Sequence, residues 1–148
     1  MAGAPERADA AATAPWPGVA SAYHVRIAGE VRWAANDVAR MKPASLTKMM
    51  TAVLVVEALA PSSEVVVSKR AATADGVRLG LRSGMRLPVE HLLAAALLRS
   101  ANDACLALAE NASASVEDFV QDMNRAVAVL ELADTRFVNP CGWDAEGQ

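Results

Sequence analysis

Ser45 and Lys48 stand three residues apart at the head of an apolar run, in residues 41–59, MKPASLTKMMTAVLVVEAL. On a helix that spacing puts both side chains on one face, close enough to touch. A serine hydroxyl is a weak nucleophile until a base takes its proton. A lysine serves as that base only where burial or nearby positive charge lowers its pKa toward neutrality. The apolar flank of Met49, Met50, Ala52 and Val53 is expected to supply that burial. A helix N-terminus beside Ser45 would also favour developing negative charge. The plain alternative is a serine N-cap and a solvated lysine, because Ser-x-x-Lys recurs by chance in many proteins. Ser45 is nevertheless the only serine of this chain with a lysine at that offset.

A second polar group lies further along. LLRSANDA places Ser100, Asn102 and Asp103 in a break between two alanine-rich apolar segments. Polar groups at such a depth require partners. Beside a Ser–Lys pair, this loop would offer a hydroxyl to relay a proton and an amide to hold a substrate carbonyl. Its structural alternative is a helix-to-helix turn in which Asn102 caps the next helix.

The remaining candidates read as structural. His91, beside Glu90 at the start of an apolar segment, fits a half-buried polar residue, and His24 a solvated one. Trp33 and Trp143 fit packing rather than ligand stacking. Cys105 and Cys141 form no C-x-x-C, and their spacing does not decide their pairing. The expectation is two buried free thiols, with Cys105 in the helix after the Ser-x-Asn loop and Cys141 in the terminal loop. No metal constellation, phosphate loop or cofactor motif is visible. A net charge of −3 argues against a nucleic-acid partner. No apolar run is long enough to span a bilayer.

The elements that must position these residues follow from periodicity. At 148 residues the chain suits one domain with a real core. Residues 1–18 are Ala- and Pro-rich with no periodicity, and read as a flexible leader rather than an export signal. Tyr23, Val25 and Ile27 alternate with His24 and Arg26, and Val31, Trp33 and Ala35 with Arg32. With Gly29-Glu30 between them, the two runs predict a β-hairpin with a type II′ turn. Helical spacing runs from Ser45 to Ala60. EVVVS predicts a short strand, and GVRLGLRSGMRLP an irregular connector. A second helix, Val89 to about Leu98, is apolar almost all round and is expected to be the central buried one. A third is predicted from about Asp103 to Glu110. A fourth, capped by Ser115 with Asp118 three residues on, runs to about Leu130. The last sixteen residues are rich in turn formers.

Taken together, PASLTKMMTA and LLRSANDACLALAE resemble the serine D-alanyl-D-alanine carboxypeptidases, the low-molecular-weight penicillin-binding proteins. The segments GVRLGLRSGMRLPVEHLL and FVQDMNRAVAVLELADTRFVNPCG, and the hairpin, are similar too, so the likeness runs from about Ala20 onward. The resemblance implies an α+β fold of the β-lactamase/transpeptidase-like type: a helix-rich part plus an N-terminal hairpin, in one domain over residues 19–148. It implies Ser45 as the acylated nucleophile and Lys48 as its general base. Ser100 would pass a proton toward the leaving D-alanine, and Asn102 would hold Lys48 and the substrate amide. The partners implied are the D-Ala-D-Ala stem peptides of peptidoglycan and β-lactams, without a cofactor, in an extracytoplasmic location.

Two departures stand out. The family's third motif, K-T-G or K-S-G, is absent, since the only lysines are Lys42, Lys48 and Lys69 and none precedes such a pair. That strand, with the others that complete the family's sheet, comes after the point where this sequence stops. The expectation is therefore an incomplete, catalytically impaired domain. The family's usual N-P-H-G is replaced by Asn139-Pro140-Cys141-Gly142. Two alternatives remain at this stage. One is a non-catalytic remnant or helical binding module. The other, ranked lower for want of an E-x-x-L-N element, is a serine β-lactamase.

Overall fold

A computed structural model describes residues 20–147, and the leader predicted for residues 1–18 lies outside them. The chain divides into two compact units between Met41 and Lys42. The first contains β1 (Tyr23–Ile27) and β2 (Glu30–Ala35), paired antiparallel. Tyr23, Val25, Val31, Trp33 and Ala35 are half-buried, and His24, Arg26 and Arg32 exposed. The turn differs from the predicted one. Its two residues are Ala28 and Gly29, at φ 50° and 86°, and positive φ at both positions belongs to a type I′ turn. A register shift between Val25 and Arg26 leaves Arg32 unopposed, as a bulge. Among the described residues no third strand joins this hairpin.

The second unit is helical. A 3₁₀ turn, Ala44–Leu46, leads into α1 (Thr47–Ala58). β3 (Glu64–Val66) follows, then the short α2 (Lys69–Ala72), whose Ser68 cap accepts the Ala71 N–H at 2.9 Å. β4 (Arg86–Pro88) pairs antiparallel with β3. The connector expected to be irregular thus ends in a strand, with Val65 buried beneath the pair. α3 (Val89–Leu98), α4 (Asn102–Ala112) and α5 (Val116–Val129) complete the unit. The α5 start is the predicted one: the Ser115 hydroxyl accepts the Asp118 N–H at 3.0 Å. Val116, Phe119, Met123 and Val127 form its buried stripe.

The central helix is α4, not α3. Asp103 through Ala109 are all buried, and α4 packs on α1, α2, α3, α5 and β3. α3 buries Val89, Leu92, Ala95 and Ala96, but leaves Leu98 83% exposed. Side-chain size explains the exchange. Ala104, Ala107 and Ala109 let neighbours approach α4 from every side, whereas hydrophobicity around α3 says nothing about how many neighbours can reach it.

Candidate active site

Ser45 lies in the 3₁₀ turn and not at the cap position of α1, which is occupied by Leu46. The preceding Ala44 has φ 47°, a left-handed conformation unusual for a residue with a Cβ. Ser45 is exposed, while Lys48, one turn on, is only 3% exposed. Lys48 Nζ reaches Ser45 Oγ at 3.2 Å. Burial lowers the Lys48 pKa from its ordinary 10.5. The source of that burial differs from the expected flank. Met50 is buried, but Met49 and Val53 are 62% and 47% exposed.

What covers Lys48 is the segment 139–142. Lys48 Nζ donates to the Cys141 carbonyl at 2.7 Å, and Thr51 Oγ1 to the Pro140 carbonyl at 2.5 Å. Two successive carbonyls are thus captured by side chains three residues apart on α1. Asn139 shapes the loop, its Oδ1 accepting the N–H groups of Cys141 at 3.1 Å and Gly142 at 2.6 Å. Gly142, at φ 79°, lies so close to the Ala44 backbone that a Cβ would overlap the Ala44 carbonyl oxygen. The missing side chain permits the approach.

The expectation of free thiols is overturned: Cys105 and Cys141 form a disulfide, with their Cα atoms 5.9 Å apart. The loop carrying Cys141 folds back along α1 and reaches α4, so residues 36 apart in sequence become neighbours. Spacing did not contain that path. The bridge also changes the reading of the N-P-C-G tetrapeptide, whose cysteine is half of a covalent tie.

Ser100 joins the pair from the other side. Its backbone, at φ 54°, takes the left-handed conformation that ends α3, and its Oγ donates to Ser45 Oγ at 2.8 Å. Glycine would suit that backbone better but would lack the hydroxyl. The structure therefore brings Ser45, Lys48 and Ser100 into one hydrogen-bonded chain. Asn102 is held differently from expectation. It is the first residue of α4 and not its cap, and no hydrogen bond joins it to Lys48. Its Nδ2 donates to the Asp75 carbonyl at 2.6 Å and its backbone N–H to Val77 at 2.7 Å.

Asp103 was missed as a positioning residue. Fully buried, it accepts N–H bonds from Leu79, Gly80, Leu81 and Ala104 at 2.9–3.0 Å. Burial pushes its pKa up, but the four N–H donors outweigh that and hold it below the ordinary 3.8. The carboxylate thereby ties the glycine-rich connector to the start of α4. An aspartate one residue past a helix start, with a glycine-rich segment upstream, was the available signal. His24 is exposed and pairs with Asp37 at 2.9 Å, away from these groups in sequence and role.

Residues 21–148 match the family model for D-alanyl-D-alanine carboxypeptidase. The chain is 39% identical over 127 residues to D-alanyl-D-alanine carboxypeptidase DacF of Bacillus subtilis, covering 82% of this chain and 33% of that one. It is 38% identical over 131 residues to DacA of Escherichia coli, covering 81% and 32%. It thus spans about a third of the length of these curated relatives. Among solved structures, the D-alanyl-D-alanine carboxypeptidase DacD of Francisella tularensis superposes with a TM-score of 0.81 at 27% identity, over 97% of this chain and 36% of that one. Penicillin binding protein 6B of Escherichia coli gives 0.74 at 34%, over 81% and 41%. The fold is accordingly part of the α+β, transpeptidase-like fold of penicillin-binding proteins.

Proposed function

Because the chain belongs to the D-alanyl-D-alanine carboxypeptidase family, we propose that residues 42–147 carry the acylation centre of a serine peptidase acting on the D-Ala-D-Ala end of peptidoglycan stem peptides. The supporting observation is the chain Lys48–Ser45–Ser100 with the lysine buried and the serine exposed. Neutral Lys48 takes the Ser45 proton as Oγ attacks the carbonyl carbon of the penultimate D-alanine. Ser100 passes a proton to the departing amino nitrogen and regains one from the Lys48 ammonium, so the terminal D-alanine leaves as an amine, an ester remains on Ser45 and Lys48 is neutral again. Water then attacks the ester, its proton going to the same base. The N-terminal turn of α1 favours the negative charge that develops. Asn102, with Nδ2 engaged by Asp75, presents its carbonyl oxygen to a substrate N–H. A penicillin would acylate Ser45 by opening its ring amide.

The disulfide favours an oxidising, extracytoplasmic compartment. Among the described residues no helix is long and apolar enough to cross a membrane. No K-T-G occurs among these 148 residues, so these residues tested alone would act without the carboxylate anchor and oxyanion donor that the family takes from that strand. Loss of one oxyanion donor alone costs about 10²–10³ in kcat.

The purified 148-residue chain, incubated with a fluorescent penicillin and with a D-Ala-D-Ala peptide, tests this reading. Slow labelling that disappears in Ser45→Ala, with little peptide release, is the expected result. Rapid peptide turnover would show that the anchor is dispensable. Complete absence of labelling would favour a non-catalytic binding module.

A further inference from the structure

We propose that the Cys105–Cys141 bridge is a positioning device for Lys48, fixing the carbonyl that aims its nitrogen at Ser45. The proposal rests on the reading of Lys48 as the base of Ser45.

The argument begins at the nitrogen. A neutral amine has two N–H bonds and one lone pair, and only the lone pair accepts a proton. The Cys141 carbonyl accepts and never donates, so at 2.7 Å it captures an N–H in either protonation state. With that N–H held, the lone pair is free to face Ser45 Oγ, 3.2 Å away. No carboxylate of the described residues forms an ion pair with Lys48, so this carbonyl and Ser45 are its polar partners.

The position of that carbonyl is set from three directions. Thr51 holds the neighbouring Pro140 carbonyl, and Gly142 is seated against the Ala44 backbone. The only covalent hold is the bond from Cys141 to Cys105 in α4. α4 is also the helix whose first residue, Asn102, follows Ser100 by two positions. One bond therefore ties the segment over Lys48 to the element that carries the rest of the site. Each hydrogen bond of the segment can open and re-form singly, whereas a covalent tie limits how far the segment can leave. Without it, water would reach the ammonium and the lysine would regain its ordinary basicity.

The chain has three lysines, Lys42, Lys48 and Lys69, so labelling every lysine at ¹³Cε gives a spectrum simple enough to titrate residue by residue. Lys48 is assigned by the signal that Lys48→Arg removes. The titration is run on the oxidised chain, on the chain treated with dithiothreitol, and on Cys105→Ser/Cys141→Ser. Dithiothreitol transfers two electrons and two protons to the bridge, leaving two thiols and its own cyclic disulfide. Circular dichroism and the dispersion of buried methyl signals in the proton spectrum report whether the fold persists. The expected result is a folded chain in which the proton affinity of Lys48 rises at least about tenfold once the bridge is gone. An unchanged Lys48 titration in a folded, reduced chain would overturn the proposal. So would loss of the folded circular-dichroism spectrum once the bridge is broken, because the bridge would then serve the whole fold and not this residue. The measurement does not depend on catalysis. A Lys48 shift without any penicillin labelling of Ser45 would keep the positioning role and reject the proposed function. Labelling that reduction leaves unaltered, with no shift, would reject the positioning role alone.

Discussion

Burying a lysine disfavours its ammonium, and here that cost fits the use proposed for it. Lys48 has a lowered pKa because burial penalises the charged form, so a larger fraction is neutral at a given pH than for a solvated lysine. Acylation of Ser45 should therefore rise with pH as Lys48 loses its proton, and level off above its folded pKa. Arginine keeps the charge and length but does not deprotonate in this range. Lys48→Arg should lower penicillin labelling of Ser45 by about 10²–10⁴ and flatten its rise with pH. A labelling-rate profile for the two proteins is the check, and an arginine variant with an unaltered profile would exclude Lys48 as the base. Gly142 makes a second prediction at this scale. Gly142→Ala places a methyl on the Ala44 carbonyl at a positive φ, so the loop or the 3₁₀ turn must shift. Mass-spectrometric detection of the β-lactam adduct should show labelling reduced by at least about tenfold, as a displacement near 1 Å can cost 10²-fold.

At the scale of elements, the start of α4 organises the most backbone. Asp103 accepts from four N–H groups, three of them in the connector 79–81; those of Leu81 and Ala104 are buried and would otherwise lack this partner, whereas Leu79 and Gly80 are exposed. Asp103→Asn offers an amide hydrogen where an acceptor is needed, and should destabilise the chain by roughly 2–4 kcal/mol. Its pH dependence identifies the cause. The folded pKa is depressed below 3.8, so the carboxylate contributes fully above that ordinary value. The contribution is lost as pH falls through the lower folded value. Urea titrations should show the wild-type advantage over Asp103→Asn near neutrality and its decline under acid conditions. An advantage unchanged by acid would mean that shape, not charge, holds the connector.

For the whole molecule, the bridge joins residues 36 apart in sequence, closing a loop between α4 and the segment over α1. Chain entropy assigns such a closure about 4 kcal/mol, in a model that omits strain and residual structure in the unfolded chain. Cys105→Ser/Cys141→Ser should lower the denaturant midpoint accordingly, and reducing agent should lower the wild type to a similar degree while leaving the variant unaltered. A variant as stable as the oxidised wild type would show that the loop is held by Thr51, Asn139 and Gly142 without help.

Local geometry carried much of this protein into its sequence. Residues three apart on a helical turn must meet, so the Ser45–Lys48 contact was legible from spacing, as were the Ser115 cap and the alternation of the hairpin. The family resemblance was legible from short motifs in order. The exact turn of the hairpin was not, because Ala28-Gly29 and Gly29-Glu30 differ by one residue and share a glycine. Only the tertiary structure decided the rest. It made α4 the central helix, because packing depends on small side chains meeting several neighbours and not on the hydrophobicity of one segment. It gave Lys48 the Cys141 carbonyl and not Asn102 as its anchor, since a backbone oxygen 93 residues away leaves no trace in side-chain chemistry. It paired the cysteines because the chain folds back over α1, a path set by the Asn139 turn, the Gly142 contact and the captured carbonyls acting together.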